Sequence, residues 1–293
     1  MASAGTNITT DQSALLSLRA HMVTSEPQQI LANNWSAKSS VCEWIGVTCG
    51  SRHRRVIALD ISNMGLSGTI PPQLGNLSFL FSLSLSKNNF RGELPDDLAR
   101  LRRLRILDFG VNNISGELPS WFGSLQKLDY LFLRNNSFTG SIPHSFSNIS
   151  NLKALFLSFN SLQGTIPKEI GNLRELEKFV AEYNQLSGSL PYELFNISTL
   201  EVIALSENSL SGSLPLNFCQ RLPRLWWLSL SLNKLSGQIP STLSQCSGLQ
   251  ALSLSTNEFT GTISKEIGNL TLLEKLYLGL NNFGGRIDPH SQF

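Results

Sequence analysis

The chain has 293 residues, of which 41% are hydrophobic and 15% are charged, so it is long and apolar enough to bury a large core. Its formal net charge of +2 at pH 7 is too balanced to indicate a nucleic-acid-binding protein. Its apolar runs all fall short of the roughly 18 residues that a helix needs to cross a bilayer.

The N-terminal residues predict a helix. The opening MASAGTNITTDQSALL has no basic segment followed by a long apolar one, so no signal peptide is visible. Thr10 is the expected N-cap of a helix through DQSALLSLRAHM, because its hydroxyl can accept a hydrogen bond from a free backbone N–H group. Leu15, Leu16 and Leu18 are expected to supply its apolar contacts.

The cysteines form two separated pairs, Cys42 with Cys49 and Cys219 with Cys246. Four cysteines allow several connectivities, and the sequence alone does not choose among them. Histidines stand at no metal-ligand spacing from either pair, so we expect neither a metal site nor a cofactor.

Eight N-x-S/T sequons accompany these cysteines. Together the two features indicate a secreted, glycosylated protein whose targeting segment is absent from this sequence. The candidate glycosylation sites are Asn7, Asn34, Asn76, Asn113, Asn135, Asn148, Asn196 and Asn269.

One unit of 24 residues recurs ten times, the last copy being incomplete, and only one spacing is 25. Its pattern, L-x-x-L-x-L-x-x-N-x-L, is that of a leucine-rich repeat. Met64 replaces the asparagine of the first copy. The aligned asparagines of the other nine are Asn88, Asn112, Asn136, Asn160, Asn184, Asn208, Asn233, Asn257 and Asn281.

Each repeat predicts a short strand followed by a turn. In LRILDFGVNN, we expect Leu104, Leu107 and Phe109 to point inward and to alternate with outward residues. The asparagine is expected to bond backbone groups of neighbouring coils. Because one coil cannot cover its own apolar side, stacked coils must share a continuous core.

A second pattern, typified by LSGTIPPQLGNL, follows each aligned position. Glycine falls four residues after it in all ten copies, and proline falls seven residues after it in eight. Glycine permits unusual backbone turns, and proline fixes φ and removes a hydrogen-bond donor. The convex side is therefore predicted to be extended or 3₁₀-helical rather than α-helical.

These residues carry a family resemblance that covers nearly the whole chain. The L-S-G-x-I-P-x-x-L-G-N-L signature is similar to the plant-specific class of leucine-rich repeat. TTDQSALLSLRAHM, LANNWS and CEWIGVTC together resemble the N-terminal cap of plant receptor-like kinases. Repeats such as ELFNISTLEVIALSENSLSGSLP are similar to those of immune-type receptor kinases of the elongation-factor-receptor group.

The resemblance implies an α/β solenoid, a right-handed superhelix of about ten plant-type repeats with short parallel strands on the concave face. It implies a helical N-terminal cap at residues 1–56, closed by a disulfide between Cys42 and Cys49, and a solenoid at residues 57–293. It further implies a place at the extracellular face of the plasma membrane or in the apoplast, and a co-receptor kinase ectodomain as partner. The sequence shows no C-terminal cap cysteines and no membrane span, so we expect a fragment or shortened form of a longer protein.

Catalytic motifs are not recognisable in the sequence. The four histidines, His21, His53, His144 and His290, are scattered, without a nucleophile or carboxylate at a catalytic spacing. The protein-kinase motifs V-A-I-K, H-R-D and D-F-G do not occur. Two basic runs, RHRR at 52–55 and RLRRLR at 100–105, are interpreted as solvated positions around inward leucines. We therefore predict that the chain is not an enzyme.

A ligand is expected on the concave face, at positions six, four, two and one before each aligned asparagine. Several of these outward residues are large, and outward aromatic residues are enriched at interfaces. For the stretch from Tyr130 to Tyr183 we predict an extended peptide or protein ligand, with Arg134 and Glu182 setting its polarity. The alternative is that the aromatic residues only pack along the sheet. The candidate residues are Tyr130, Phe132, Arg134, Phe156, Phe159, Lys178, Glu182, Tyr183, Trp226, Trp227 and Tyr277.

The resemblance implies that the chain is the extracellular ligand-recognition module of a plant receptor-like kinase, acting in immune or developmental signalling. A secreted inhibitor of a microbial cell-wall hydrolase is the alternative function, because polygalacturonase-inhibiting proteins are similar in size and in repeat number. Their C-terminal cysteine cap is absent here, and the individual repeats look more receptor-like. A third interpretation is an interaction module without a dedicated ligand.

The repeat that ends at Asn233 departs from the others. Its FCQRLPRL segment is one residue longer than the corresponding LARLRRL, which accounts for the single 25-residue spacing. Cys219 lies beside this insertion on the convex side, and Cys246 replaces an inward leucine one coil later. A disulfide and a buried free Cys246 both remain open. Trp226 and Trp227 fall at outward positions and form a second candidate contact zone.

Overall fold

The computed structural model describes residues 7–22 and 29–284. The chain divides into two compact units. The first consists of Met1–Thr139 and Asn148–Leu152, and the second of Gly140–Ser147 and Lys153–Phe293.

The first unit begins with helices α1 (Ile8–His21) and α2 (Gln29–Asn34). The N-cap of α1 is Asn7, whose Oδ1 accepts hydrogen bonds of 3.1 Å from the backbone N–H groups of Thr9 and Thr10. The prediction of Thr10 as N-cap is therefore wrong. Asparagine is the stronger N-cap residue, and here Thr10 serves as the third helical residue of a capping box.

Helix α1 is fixed to the first coil by a buried ion pair. Nη2 of Arg55 lies 2.7 Å from Oδ1 of Asp11, and its Nε donates to Oδ2 at 2.8 Å. The backbone N–H of Val56 also donates to Asp11, at 2.9 Å. The interpretation of the whole RHRR run as solvated is thus wrong for Arg55, which is buried because Asp11 neutralises its charge with two parallel hydrogen bonds. A disulfide between Cys42 and Cys49 closes the cap, as the resemblance implied.

The strands of the first unit form two ladders. β2, β4, β6 and β8 pair in parallel, one strand per coil, with β1 antiparallel to β2 at the edge. A second parallel ladder joins β3, β5, β7 and β9, which follow the aligned asparagines. The bounds are β1 (Val47–Cys49), β2 (Val56–Asp60), β3 (Ser67–Gly68), β4 (Ser82–Ser84), β5 (Asn89–Gly92), β6 (Ile106–Asp108), β7 (Asn113–Glu117), β8 (Tyr130–Phe132) and β9 (Ser137–Thr139).

The second unit repeats this arrangement. β10, β12, β14, β16, β18 and β20 pair in parallel and in register, and the remaining strands form the second ladder. The bounds are β10 (Ala154–Phe156), β11 (Gln163–Gly164), β12 (Lys178–Val180), β13 (Gln185–Ser189), β14 (Val202–Ala204), β15 (Ser209–Gly212), β16 (Trp227–Ser229), β17 (Lys234–Gln238), β18 (Ala251–Ser253), β19 (Glu258–Gly261), β20 (Lys275–Tyr277) and β21 (Asn282–Phe283).

The other side of the coils is 3₁₀-helical, which confirms the prediction from the glycine and proline pattern. The exception is α3 (Phe218–Arg221), a single α-helical turn in the coil that carries the extra residue. The 3₁₀ helices of the first unit are Val41–Glu43, Pro72–Asn76, Asp96–Arg100 and Ser120–Ser124. Those of the second are Lys168–Asn172, Tyr192–Asn196, Ser241–Gln245 and Lys265–Asn269, and His144–Asn148 has residues in both units.

The aligned asparagines bridge neighbouring coils, as predicted. Oδ1 of Asn88 accepts a hydrogen bond of 2.9 Å from the backbone N–H of Leu66, one coil earlier. Its Nδ2 donates to the backbone oxygens of Ile61 at 2.8 Å and Leu85 at 2.9 Å. One side chain therefore satisfies buried backbone groups of two coils, which explains why the repeat requires an amide at this position.

Candidate ligand-binding face

The strands of the second unit present regular rows of outward side chains. Their central residues, including Leu155, Phe179 and Ile203, are fully buried. The strands pair in register, with Phe156 opposite Val180. Because successive side chains alternate in direction, residues at the same repeat position lie side by side on the outward surface, here called the strand face.

The residue before each aligned position adopts a left-handed backbone conformation with φ between 54° and 59°, although none of them is glycine. This geometry turns the side chain away from the buried interior, at the end of the strand face. The row was identified as outward from the sequence, but its backbone conformation was not. It consists of Asn63, Lys87, Val111, Asn135, Phe159, Tyr183, Glu207, Leu232, Thr256 and Leu280.

Two aromatic residues of this row form a stacked pair. The ring centroids of Phe159 and Tyr183 are 4.3 Å apart, with 11° between the ring planes, and each residue is 47% exposed. Stacking protects one side of each ring and leaves other apolar surface in contact with water. An exposed, pre-ordered aromatic surface of this kind is suited to anchoring a ligand.

Glu182 lies next to this pair in the chain and is partly buried. Its backbone N–H donates to Oγ of Ser158 at 3.0 Å, and Oγ of Ser229 donates to its Oε1 at 3.4 Å. Burial raises the pKa of the Glu182 carboxyl, the hydrogen bond from Ser229 opposes this shift, and the charge of Glu207 adds to it. The face therefore carries an acidic group that is costly to ionise.

The next part of the strand face contains paired serines, of which Ser206, Ser229 and Ser231 are buried. The hydroxyls of Ser206 and Ser229 are 2.7 Å apart, and those of Ser231 and Ser253 are 2.6 Å apart. These serines do not stand out in the sequence, because each one alone is an ordinary small residue. Their repeat position could have identified them. Each hydrogen bond joins a serine two residues before one aligned asparagine to a serine four residues before the next aligned asparagine.

Beyond the serines the face becomes aromatic again. Trp227 is 37% exposed, Trp226 is partly buried, and their ring centroids are 5.8 Å apart. Tyr277 on β20 is exposed. Lys178 and Phe156, the other candidates of this unit, are partly buried on β12 and β10.

The remaining candidates belong to the first unit. Tyr130 and Phe132 lie on β8, both partly buried, and their rings are nearly parallel with centroids 6.3 Å apart. Arg134 follows the strand and is exposed, and so is the sequon residue Asn135.

Most sequons are accessible. Asn34 and Asn76 are partly buried, and Oδ1 of Asn34 accepts a hydrogen bond of 2.6 Å from the backbone N–H of Ile45. The exposed sequon residues are Asn7, Asn113, Asn135, Asn148, Asn196 and Asn269.

Cys219 and Cys246 are joined by a disulfide, with their Cα atoms 4.8 Å apart. Cys219 lies on α3, and Cys246 directly follows the 3₁₀ helix Ser241–Gln245. The bond therefore links two coils on the helical side. The coil that contains Cys219 therefore has two separate features. The disulfide lies on its helical side, and the pair of Trp226 and Trp227 lies on its strand face.

In residues 7–22 and 29–284 there is no group of three or more histidine, cysteine, aspartate or glutamate residues placed to hold a metal ion. The helices of this described part are all too short or too polar to cross a bilayer.

Stacked coils with parallel strands on one side, 3₁₀ helices on the other and an asparagine ladder define a leucine-rich-repeat protein. Family models agree: residues 51–189 match "Leucine-rich repeat region", residues 8–50 match "Leucine rich repeat N-terminal domain", and residues 224–246 and 248–270 match "Leucine Rich Repeat". The chain belongs to the leucine-rich-repeat family.

Sequences similar to this chain include plant receptor kinases. The chain is 45% identical over 76 residues to the LRR receptor-like serine/threonine-protein kinase EFR of Arabidopsis thaliana, a match that covers 26% of this chain and 7% of that receptor's length. Among solved structures it is similar to the ectodomain of the receptor kinase GASSHO1/SCHENGEN3 of Arabidopsis thaliana in complex with CASPARIAN STRIP INTEGRITY FACTOR 2. That similarity has a TM-score of 0.91 at 36% identity and covers 94% of this chain and 33% of the ectodomain.

Two further structures share the fold. The Arabidopsis receptor kinase HAESA, in complex with the peptide hormone IDA and the co-receptor SERK1, has a TM-score of 0.67 at 28% identity, with 94% of this chain and 54% of HAESA covered. A plant ice-binding protein has a TM-score of 0.82 at 30% identity, with 96% of this chain and 89% of that protein covered. Because receptors and an ice-binding protein share this fold, the function has to be argued from the site.

Proposed function

We propose that this chain is the extracellular ligand-recognition module of a plant receptor-like kinase and that it binds an extended peptide segment on the strand face of the second unit. The observation that carries the proposal is the exposed Phe159–Tyr183 stack, which lies in one row with Glu207 and next to the half-buried Glu182. Aromatic anchors with a few oriented polar groups are typical of peptide recognition.

The solved relatives support a peptide. GASSHO1/SCHENGEN3 and HAESA are both receptor kinases whose structures contain a ligand of this kind, CASPARIAN STRIP INTEGRITY FACTOR 2 in one case and the peptide hormone IDA in the other. HAESA also binds the co-receptor SERK1 in its structure. We therefore propose a peptide ligand and a co-receptor kinase ectodomain as the two partners of the full-length protein.

The chemistry of the face indicates how a peptide would bind. The stacked rings offer an apolar anchor for a ligand side chain. Glu182 and Glu207 favour a basic ligand residue, because an incoming positive charge offsets the cost of holding a partly buried carboxylate. Phe156, Lys178, Trp226, Trp227 and Tyr277 extend the candidate surface within this unit.

The remaining parts of the proposal follow from this role. The chain itself is non-catalytic, and any kinase activity belongs to another part of the full-length protein. We place the module in the apoplast or on the outer face of the plasma membrane, which its two disulfides and exposed sequons support. The cap at residues 1–56 and the solenoid at 57–293 remain our proposed domain division.

A display experiment tests the site. The immobilised chain is used to select binders from a library of linear peptides, and the affinity of a selected peptide is compared between the native chain and the double variant Phe159→Ala, Tyr183→Ala. Loss of two anchor rings is expected to weaken binding by at least about tenfold, since hot-spot truncations typically cost 2 kcal/mol or more.

Tyr192→Ala is the matched control, because Tyr192 is 63% exposed but lies on the 3₁₀ helix Tyr192–Asn196. The control should bind as the native chain does. Equal affinity of the double variant and the native chain, with unchanged thermal unfolding, would contradict the placement. Inhibition of a microbial polygalacturonase in the absence of peptide binding would instead favour the hydrolase-inhibitor alternative.

A further inference from the structure

Two arginine-rich runs of the first unit come together around one aromatic ring. The guanidinium carbon of Arg55 lies 4.5 Å from the ring centroid of Phe79, and that of Arg103 lies 4.1 Å from it. The runs are almost 50 residues apart in the sequence, and both were interpreted there as ordinary solvated surface. The two runs therefore meet at the ring of Phe79, which contacts the buried Arg55 and the exposed Arg103.

Most of the charge on this surface is unpaired. Arg52, Arg54, Arg102 and Arg103 are all exposed, and within the described part of the chain none of them forms an ion pair. Exposed like charges held close together repel one another and disfavour the compact state. An anionic ligand would relieve this repulsion.

The repeat register arranges these charges in rows. Arg54 and Arg102 stand ten residues before the aligned positions of the first and third coils, and Arg103 and Lys127 stand nine before those of the third and fourth. Arg54 lies in the turn between β1 and β2, and Arg102 and Arg103 lie in the turn before β6. The coil between them has Ser78 and Phe79 at these positions, so the two groups of charge are separated by two strand spacings of about 4.8 Å. The charges are therefore spread along a line rather than gathered into a pocket.

An aromatic ring adjoins the same rows. Phe81 is 45% exposed, and the guanidinium carbon of Arg105 lies 5.8 Å from its ring centroid. Arg105 is partly neutralised by Asp129, at 2.5 Å. An exposed aromatic ring among guanidinium groups provides a flat apolar surface together with donors for carboxylates.

We propose that this arginine edge, formed by Arg52, Arg54, Arg102, Arg103 and the rings of Phe79 and Phe81, binds a linear acidic polysaccharide. The arginines bind the carboxylates of successive sugar units, and Phe81 packs against the C–H face of a sugar ring. A linear polyanion matches these separated charges better than a small anion does, because the charged contacts come from two coils and the coil between them is uncharged at the same positions. The choice of a polysaccharide over a nucleic acid rests on the extracellular location proposed above.

The probe for the test is unesterified polygalacturonate, and the control probe is the same polymer with its carboxylates methyl-esterified. The native chain is expected to bind the unesterified polymer with an affinity that falls steeply with salt, and to bind the esterified polymer at least about tenfold more weakly. Equal binding of both polymers, or no binding of either at low salt, would overturn the proposal.

Matched variants locate the surface. Arg102→Ala, Arg103→Ala is expected to weaken binding at least about tenfold by removing two contact charges. Arg174→Ala, Arg224→Ala removes the same charge from exposed residues at the same repeat positions of the second unit, and it should leave the affinity within about twofold. Equal losses in both variants would mean that only overall charge matters, and the assigned surface would be wrong.

Arg103→Ala also removes a ring contact with Phe79, so thermal unfolding is measured for each variant. Arg52→Gln, Arg102→Gln is a second variant that leaves this ring contact in place, and it too should bind polygalacturonate more weakly. Single-stranded DNA of matched charge provides the last comparison. Tighter binding of DNA than of polygalacturonate, with the same dependence on Arg102 and Arg103, would contradict the polysaccharide assignment.

Discussion

Glu182 has a carboxyl whose pKa is shifted by the groups around it. Burial raises the pKa of its carboxyl, and the nearby Glu207 adds to this shift against a hydrogen bond from Ser229. The folded state therefore binds a proton more tightly than the unfolded state does. Stability must then fall as pH rises from the unfolded pKa to the folded pKa, and the loss persists at higher pH.

We expect Glu182→Gln to raise the midpoint of thermal unfolding at pH 7, because it removes a charge that is costly to bury, and to change it little near pH 3, where the native carboxyl is protonated. Thermal unfolding of both proteins across this range is the measurement. Glu175→Gln on the same coil is the control: an exposed carboxylate keeps its water on folding, so little change is expected. An equal gain in both variants, or a gain at pH 3, would contradict this account.

At the same scale, residues differ in how far the sequence predicts their role. The position of Phe159 in the repeat correctly predicted that its side chain points outward. Its stacking with Tyr183 was not predicted, because it depends on the left-handed backbone conformation before each asparagine, and no glycine marks that conformation in the sequence. Arg55 looked like its exposed neighbours in the sequence. It is buried because Asp11, 44 residues earlier, pairs with it, and pairing over such a distance leaves no local signal.

At the scale of the element, the strand and helix positions followed from the repeat. The 24-residue period predicted the positions of the strands, and the glycine and proline pattern predicted the 3₁₀ helices. The asparagines bridge neighbouring coils as expected. The second ladder of strands and the antiparallel β1 were not predicted, because two- to five-residue strands without alternating apolar residues carry little sequence signal. The N-cap was misplaced because both Asn7 and Thr10 suit the role.

The L-G-N segment at 74–76 contains a glycine that the packing of neighbouring coils requires. A Cβ placed on Gly75 would lie 2.1 Å from the backbone oxygen of Asp97 in the next coil, whereas a Cβ on Gly248 would lie 3.6 Å from its nearest neighbour, the backbone oxygen of Leu225. The sequence alone does not show which of these two glycines is required.

Gly75→Ala is expected to destabilise the protein by about 1–3 kcal/mol, because the coils would have to move apart. Gly248→Ala should be neutral or stabilising by up to about 1 kcal/mol, since its Cβ would make only ordinary contacts and alanine restricts the unfolded chain. Urea unfolding of the two variants measures the difference. Equal destabilisation would show that the contact with Asp97 is not what requires glycine.

At the scale of the whole molecule, two surfaces with different chemistry belong to different units. The first unit carries the arginine edge, and the second carries the aromatic strand face with its carboxylates and serines. The two proposals therefore use different probes and different variants, and either can fail without the other. The sequence predicted the aromatic candidates because large outward residues are unusual, but it gave no reason to connect the two basic runs.

A peptide bound on the strand face of the second unit would shield its aromatic side chains from solvent, and side-chain oxidation by hydroxyl radicals measures this shielding. The chain is oxidised with and without a peptide selected by display, and the reactivity of individual residues is read by mass spectrometry. We predict that bound peptide lowers the reactivity of Phe159, Tyr183 and Trp227 several-fold and leaves Tyr192 unchanged. Protection of Tyr192 with unchanged reactivity of Phe159 and Tyr183 would contradict the account.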